Sequence, residues 1–251
     1  MKKNESLIKQ HERLDDLQCR GYHIIQDPKG FCFGMDAVLL ADFASGNAGG
    51  RVIDLGTGTG VIPMLMHGRG KGAHFTGLEY QEAYADMASR SVAYNELAGD
   101  IDIVHGDIRR IRDLFPAACF DIVTSNPPYI KGNHGLANAT SPKNIARHEV
   151  AVTLAEVIDA ASYLLKPGGS FAMVHKPFRL AEIIRELSSK KLEPKRMCLV
   201  QPGTKKEPNM VLIEAVKGGG VQLNIEPTLV VYDEDGRYTD DLLTRYGPLY
   251  T

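Results

Sequence analysis

Between Arg51 and about Lys190 the chain alternates short apolar runs with stretches of helical apolar spacing, and that alternation leaves few folds open. Strand and helix in strict turn give a parallel sheet joined by crossover helices. The pattern predicts strands at about 51–55, 73–79, 101–105, 119–124 and 169–175. Helices are predicted near 60–67, 81–97, 107–115 and 150–165, and another after Lys176-Pro177 to about Lys190. Leu192–Gln201 and Asn209–Lys217 are two more apolar strands, joined only by Pro202–Pro208. A connection that short makes an antiparallel hairpin, not a parallel crossover. The predicted fold class is therefore α/β, a Rossmann-like, seven-stranded and mostly parallel sheet with a terminal antiparallel hairpin.

The flanks read differently. Residues 1–20 are charged and predict an arm or a short helix. Tyr22–Gln26 and Gly30–Phe33 flank the turn residues Asp27-Pro28-Lys29-Gly30, which predicts a hairpin of two short strands. Gly34–Phe43 has helical spacing, and Ser45–Gly50 ends it. Three regions follow: 1–48 as arm, hairpin and helix, 49–217 as the main domain, and 218–251 as a tail whose Glu226–Tyr232 reads as one more edge strand. A length of 251 residues suits one large domain with extensions. The formal charge of -2 gives no bulk attraction to nucleic acid, so such binding would need local patches. Four scattered cysteines without a C-x-x-C, and eight histidines without ligand spacing, predict reduced thiols and no metal. A charged start and no apolar run long enough to span a bilayer place the expectation in the cytoplasm, off the membrane.

Chemistry gathers at predicted strand ends. Val52–Ile62 is a strand, a turn holding Gly56, Gly58 and Gly60, and a helix start; such glycines let a ligand approach the backbone. A dinucleotide fingerprint would need a small residue at position 61, and Val61 stands there. Asp54 ends the first strand of this unit and Glu79 the second, where a carboxylate can accept both hydroxyls of a ribose or simply remain a solvated charge. Asp107 follows the third and is also a natural helix cap. After the fourth comes Asn126-Pro127-Pro128-Tyr129. Two prolines cannot extend a sheet, so this is a stiff spur at the carboxyl end of a strand, where open α/β sheets bind ligands. An amide oxygen, a carbonyl with no competing donor and an aromatic face suit a flat group bearing NH₂; the alternative is a proline-rich turn with an incidental tyrosine.

Asn126-Pro127-Pro128-Tyr129, the glycine turn, Phe33-Gly34-Met35-Asp36-Ala37-Val38-Leu39-Leu40, Lys166-Pro167-Gly168-Gly169 and the late Tyr232…Gly236-Arg237-Tyr238-Thr239 together resemble the tRNA1(Val) adenine-37 N6-methyltransferases, within the Asn-Pro-Pro-Tyr class of amino-methyltransferases. The resemblance covers about residues 20–240. It implies a class I methyltransferase fold, S-adenosylmethionine as cofactor and tRNA as substrate. It also implies that the glycine turn and Asp54 hold the methionine end, that Asp107 accepts from the cofactor's adenine, and that Phe33 and Asp36 contact the cofactor, unless they are ordinary core and cap residues. Asn126, Pro127 and Tyr129 become the catalytic set. Pro128, Lys131 and Arg147 become substrate contacts, in a loop at 131–149 expected to close over RNA. Other readings are the same fold acting on a guanine of ribosomal RNA or a protein glutamine, or a non-catalytic Rossmann-like binding module.

Overall fold

The first paired strands are not those the sequence predicts. In the computed structural model, which describes residues 5–128 and 152–246, β1 (Arg13–Asp16) pairs antiparallel with β2 (His23–Gln26). Residues Gly30–Phe33 form no strand, and the charged arm contains β1 after a single 3-10 turn at Glu5–Leu7. The reason is local. Gln18, Arg20 and Gly21 take left-handed conformations that reverse the chain, and Leu17 N–H donates to Tyr22 O across the reversal at 2.9 Å. The amides of Phe31 and Phe33 are taken by side chains instead: Phe31 N–H donates to Tyr84 Oη at 2.8 Å, and Phe33 N–H to Gln26 Oε1 at 2.9 Å.

Helix α1 (Met35–Phe43) follows, almost wholly buried. Then β3 (Arg51–Leu55), α2 (Val61–Gly68), β4 (His74–Glu79), α3 (Glu82–Tyr94) and β5 (Ile101–His105) alternate as the pattern requires. α3 stops three residues short of expectation, because Glu96 turns left-handed and Asn95 spends its amide on His23 O. The helix predicted at 107–115 is a 3-10 turn, Ile108–Arg110, and one short turn, α4 (Ile111–Leu114). β6 (Phe120–Ser125) leads to residues outside the described set. α5 (Leu154–Leu164) begins with a capping box, in which Glu156 Oε2 accepts from Thr153 N–H at 2.7 Å. β7 (Leu165–His175) starts four residues early, because an irregularity against β6 accommodates Pro167 and the glycines. α6 (Leu180–Ser189), the hairpin of β8 (Leu192–Gly203) and β9 (Met210–Lys217), β10 (Asn224–Ile225), β11 (Leu229–Tyr232) and α7 (Asp240–Tyr246) complete the chain.

The main sheet has nine strands, in the order β10-β8-β9-β7-β6-β3-β4-β5, with β11 also on β8. β3 to β7 pair parallel, and β9 runs antiparallel between β7 and β8. The seven predicted strands are all there; the tail adds two short ones, both parallel to β8. Alternation sorts the core onto two faces. Val52, Ile122, Ala172 and Val174 pack with α1 and α2, whereas Ile53, Leu55, Val123 and Phe171 pack with α5 and α6. Among the described residues no helix is long and apolar enough to cross a membrane. Strand order reverses between β3 and β6, and a reversal of this kind opens a crevice at the carboxyl ends of the strands.

Candidate functional site

The glycine turn leaves β3 at one lip of that crevice. Gly56 and Thr57 both donate to Leu78 O of β4, at 2.9 and 3.0 Å, so the turn is clamped to the neighbouring strand. Gly56 and Gly58 have φ of 77° and 57°, and a Cβ on either would meet no atom within 4 Å. The turn therefore presents bare backbone to open space, which is the cradle a close-lying ligand needs.

The three strand-end acids are held in three different ways. Asp54 is wholly buried; Thr124 Oγ1 donates to its Oδ1 at 2.7 Å, while Oδ2 and the nearby Thr57 hydroxyl have no aligned partner. Burial raises its pKa from the ordinary 3.8 to about 7, against the pull of the Thr124 and Thr57 hydroxyls. A buried carboxyl with a spare oxygen is suited to receive a cationic group. Glu79, also buried, accepts from Gly58 N–H on Oε2 and Gln81 N–H on Oε1, each at 2.8 Å. One acceptor position remains on each oxygen, enough for two hydroxyls. Asp107 caps the 3-10 turn: Oδ1 accepts from Arg109 N–H at 2.9 Å, and Nε and Nη2 of Arg109 fork the carboxylate at 2.6 to 3.0 Å. This fork holds the Asp107 carboxyl below the usual carboxylate range.

The opposite lip is the end of β6. Thr124 and Ser125, both fully buried, bolt β6 to β3: Thr124 to Asp54, and Ser125 Oγ to Leu55 O at 2.8 Å. Asn126 comes next, half-buried, then buried Pro127 and exposed Pro128. Asn126 lines one pocket together with Gly56, Thr57, Gly58, Phe31 and Phe33. Gly60 lies at the far end of the turn, capping α2 and packed on Ala88. Asp36 is not among the lining residues; its Oδ1 accepts from Ala37 N–H at 2.9 Å at the start of α1. Tyr129, Lys131 and Arg147, with the loop 131–149, lie outside the described residues. Among those described, no group of three or more His, Cys, Asp or Glu is arranged to hold a metal ion.

Sequence reasoning missed Phe31, Thr57, Thr124 and Ser125. The two hydroxyls immediately before Asn126 were the available signal, since an apolar strand has no other use for adjacent buried Thr and Ser.

A parallel sheet opened at its reversal point, with a glycine cradle on one lip and an Asn-Pro-Pro spur on the other, defines a Rossmann-like methyltransferase of the α/β class. Residues 33–191 match the methyltransferase small domain, and the chain belongs to that family. A tRNA1(Val) (adenine(37)-N6)-methyltransferase of Porphyromonas gingivalis is 29% identical over 87% of this chain and 88% of its own length. One from Bacteroides fragilis is 27% identical over 90% and 93%. A crystal structure from Agrobacterium tumefaciens, described as a predicted O-methyltransferase, superposes with a TM-score of 0.67 at 26% identity and covers 84% of this chain and 97% of its own.

Proposed function

We propose that this protein transfers a methyl group from S-adenosylmethionine to the exocyclic N6 amine of an adenine in tRNA, at anticodon-loop position 37. The observation that carries the reading is the shared pocket of Asn126 and the glycine turn. A nitrogen to be methylated and the group that methylates it must meet in one place. The names of the relatives support the substrate. In this reading residues 1–48 cover the cofactor, 49–217 form the catalytic domain and 218–251 finish the sheet. The cytoplasm, where tRNA is modified, is the site of action.

S-adenosylmethionine, when bound, supplies an electrophilic methyl on a sulfonium. The backbone of Gly56 and Gly58 cradles its methionine end, Gly60 closes the turn behind them, and Asp54 ionises to meet the ammonium. The spare lone pairs of Glu79 take the ribose hydroxyls. Asp107 can accept from the adenine only by sharing with Arg109, whose fork already engages both its oxygens. Phe33 closes the pocket over the turn, and Asp36 steadies the helix behind it.

An adenine NH₂ is a weak nucleophile, because its lone pair is delocalised into the ring. Asn126 Oδ1 and Pro127 O accept its two hydrogens and draw the nitrogen toward a tetrahedral, positively charged state. Those hydrogen bonds strengthen as charge develops, so they favour the transition state over the ground state. The surplus proton stays on the nitrogen, hydrogen-bonded to the amide oxygen, until water removes it. Stacking by Tyr129 and contacts from Pro128, Lys131 and Arg147 complete the proposal. An anticodon-loop base costs less to present than one in a duplex.

The test uses labelled S-adenosylmethionine and tRNA from a strain lacking the gene, followed by nucleoside analysis. Label is expected in N6-methyladenosine at position 37. Label confined to ribosomal RNA guanine or to a protein glutamine would overturn the substrate.

A further inference from the structure

Five aromatic rings are exposed among the described residues: Phe31, Tyr80, Phe178, Tyr232 and Tyr238. All five lie on the carboxyl rim of the sheet. Phe31 lines the pocket, and Tyr80 directly follows β4. Phe178 lies three residues beyond the end of β7, and Tyr232 ends β11 opposite Gly203, the last residue of β8. Tyr238 bridges back to Tyr232, their rings stacked 5.2 Å apart, and Tyr238 also stacks with Tyr246 at 6.4 Å. Of the exposed aliphatic residues, Val221 and Ile225 lie away from this rim, in the connection after β9 and in β10, and Leu114 lies beside Gly106 just beyond β5. Chance exposure would scatter the rings over the surface.

We propose that Phe178 and the Tyr232–Tyr238 pair are stacking platforms for unpaired bases of the substrate RNA, on the side of the rim away from the cofactor. This rests on the tRNA reading above. β6 and β7 are neighbours in register, Ser125 against Met173, so the segment with Phe178 leaves the rim beside Asn126 and Pro127. With a ring 70% exposed on a turn stiffened by Pro177, it offers a fixed π-face next to the target base. β11 lies four strand spacings from β6, roughly 19 Å, so the second platform meets a more distant part of the same loop.

Cations sit between the platforms. The Lys176 ammonium reaches Asn209 O, and exposed Lys205 and Lys206 occupy the β8–β9 turn on the same rim. Asp233, Glu234 and Asp235 add negative charge near Tyr232. Glu234 and Asp235 are paired with Lys205 and Arg237 at 3.7 Å. Those pairs are exposed and weak, so a phosphate can replace the carboxylate.

The test measures affinity for unmodified full-length tRNA across a salt series, with S-adenosylhomocysteine affinity and unfolding temperature as controls. Phe178→Ala is expected to weaken tRNA binding roughly five- to hundredfold, as loss of a base stack does. Its salt slope should be unchanged, because no phosphate contact is removed. Phe178→Tyr should restore binding, and Tyr232→Ala should give a smaller loss. Binding of both alanine variants at wild-type affinity overturns the inference alone. If the wild-type protein binds S-adenosylhomocysteine but no tRNA, the inference falls together with the substrate assignment.

Discussion

On the β3–β5 side of the crevice the strand-end acids are engaged by the protein itself, Asp54 and Glu79 buried and Asp107 half-buried, whereas the residues that follow the buried ends of β6 and β7 emerge toward solvent. Glu79 is held by two backbone amides, Asp107 by Arg109, and Asp54 by Thr124 before any ligand arrives. Beyond β6, buried hydroxyls give way within one residue to half-buried Asn126, and beyond β7 to exposed Phe178. The difference teaches how one rim can serve two ligands. A small ligand that is the same in every turnover can be met by fixed, desolvated groups. A macromolecule that must come and go is met by exposed rings and flexible cations, which cost little to leave in water.

The comparison breaks most visibly at Asn126. Asn126→Ala should lower kcat roughly 10²–10³-fold, as loss of one transition-state hydrogen bond does, while S-adenosylhomocysteine affinity by calorimetry stays put. Equal losses in both would merge the two sides. Asp54→Asn should do the reverse, weakening S-adenosylhomocysteine roughly tenfold or more through loss of a charge-assisted contact, with tRNA affinity retained. Smaller again, Tyr84→Phe frees the amide of Phe31 and loosens the aromatic wall of the pocket. We expect an S-adenosylhomocysteine Kd a few-fold higher, the scale of one ordinary hydrogen bond, and little change in kcat.

Stability against pH tests the same division. Native Asp54 keeps its proton up to about 7, whereas the unfolded chain loses it near 3.8. Between those values the native state holds more protons, so this group makes stability fall as pH rises. His175 acts in the opposite sense. Burial, then Arg179, lower its pKa to about 4, so between 4 and 6.5 only the unfolded chain is protonated and stability rises with pH. The two offset each other below about 6.5. Denaturant midpoints of Asp54→Asn should therefore climb from pH 4 to 6.5 more steeply than those of the wild type.

Much of this was legible in the residues. Largely apolar runs such as Val52–Leu55 and Phe120–Thr124 specify buried parallel strands, because a strand covered on both faces reads as a nearly continuous apolar run. β1 was illegible for the converse reason: Arg13, Asp15 and Asp16 carry no strand signal, and the pairing comes from the left-handed reversal at Gln18–Gly21. The site divides in the same way. Asn126 and the glycines announce themselves by residue type, but that Arg109 occupies Asp107, or that Ser125 ties Asn126's strand to Leu55, follows from side-chain geometry alone.

By itself, then, the sequence determined the α/β alternation, the glycine cradle and the Asn-Pro-Pro spur, since each depends on backbone freedom or burial that a residue carries wherever it stands. Tertiary structure decided that cradle and spur face one another, which requires β3 and β6 to be neighbours although about 70 residues separate them. It also decided that every exposed ring among the described residues came to lie on one edge. Both are consequences of strand order, which is set by packing across the whole sheet and by no local stretch of chain.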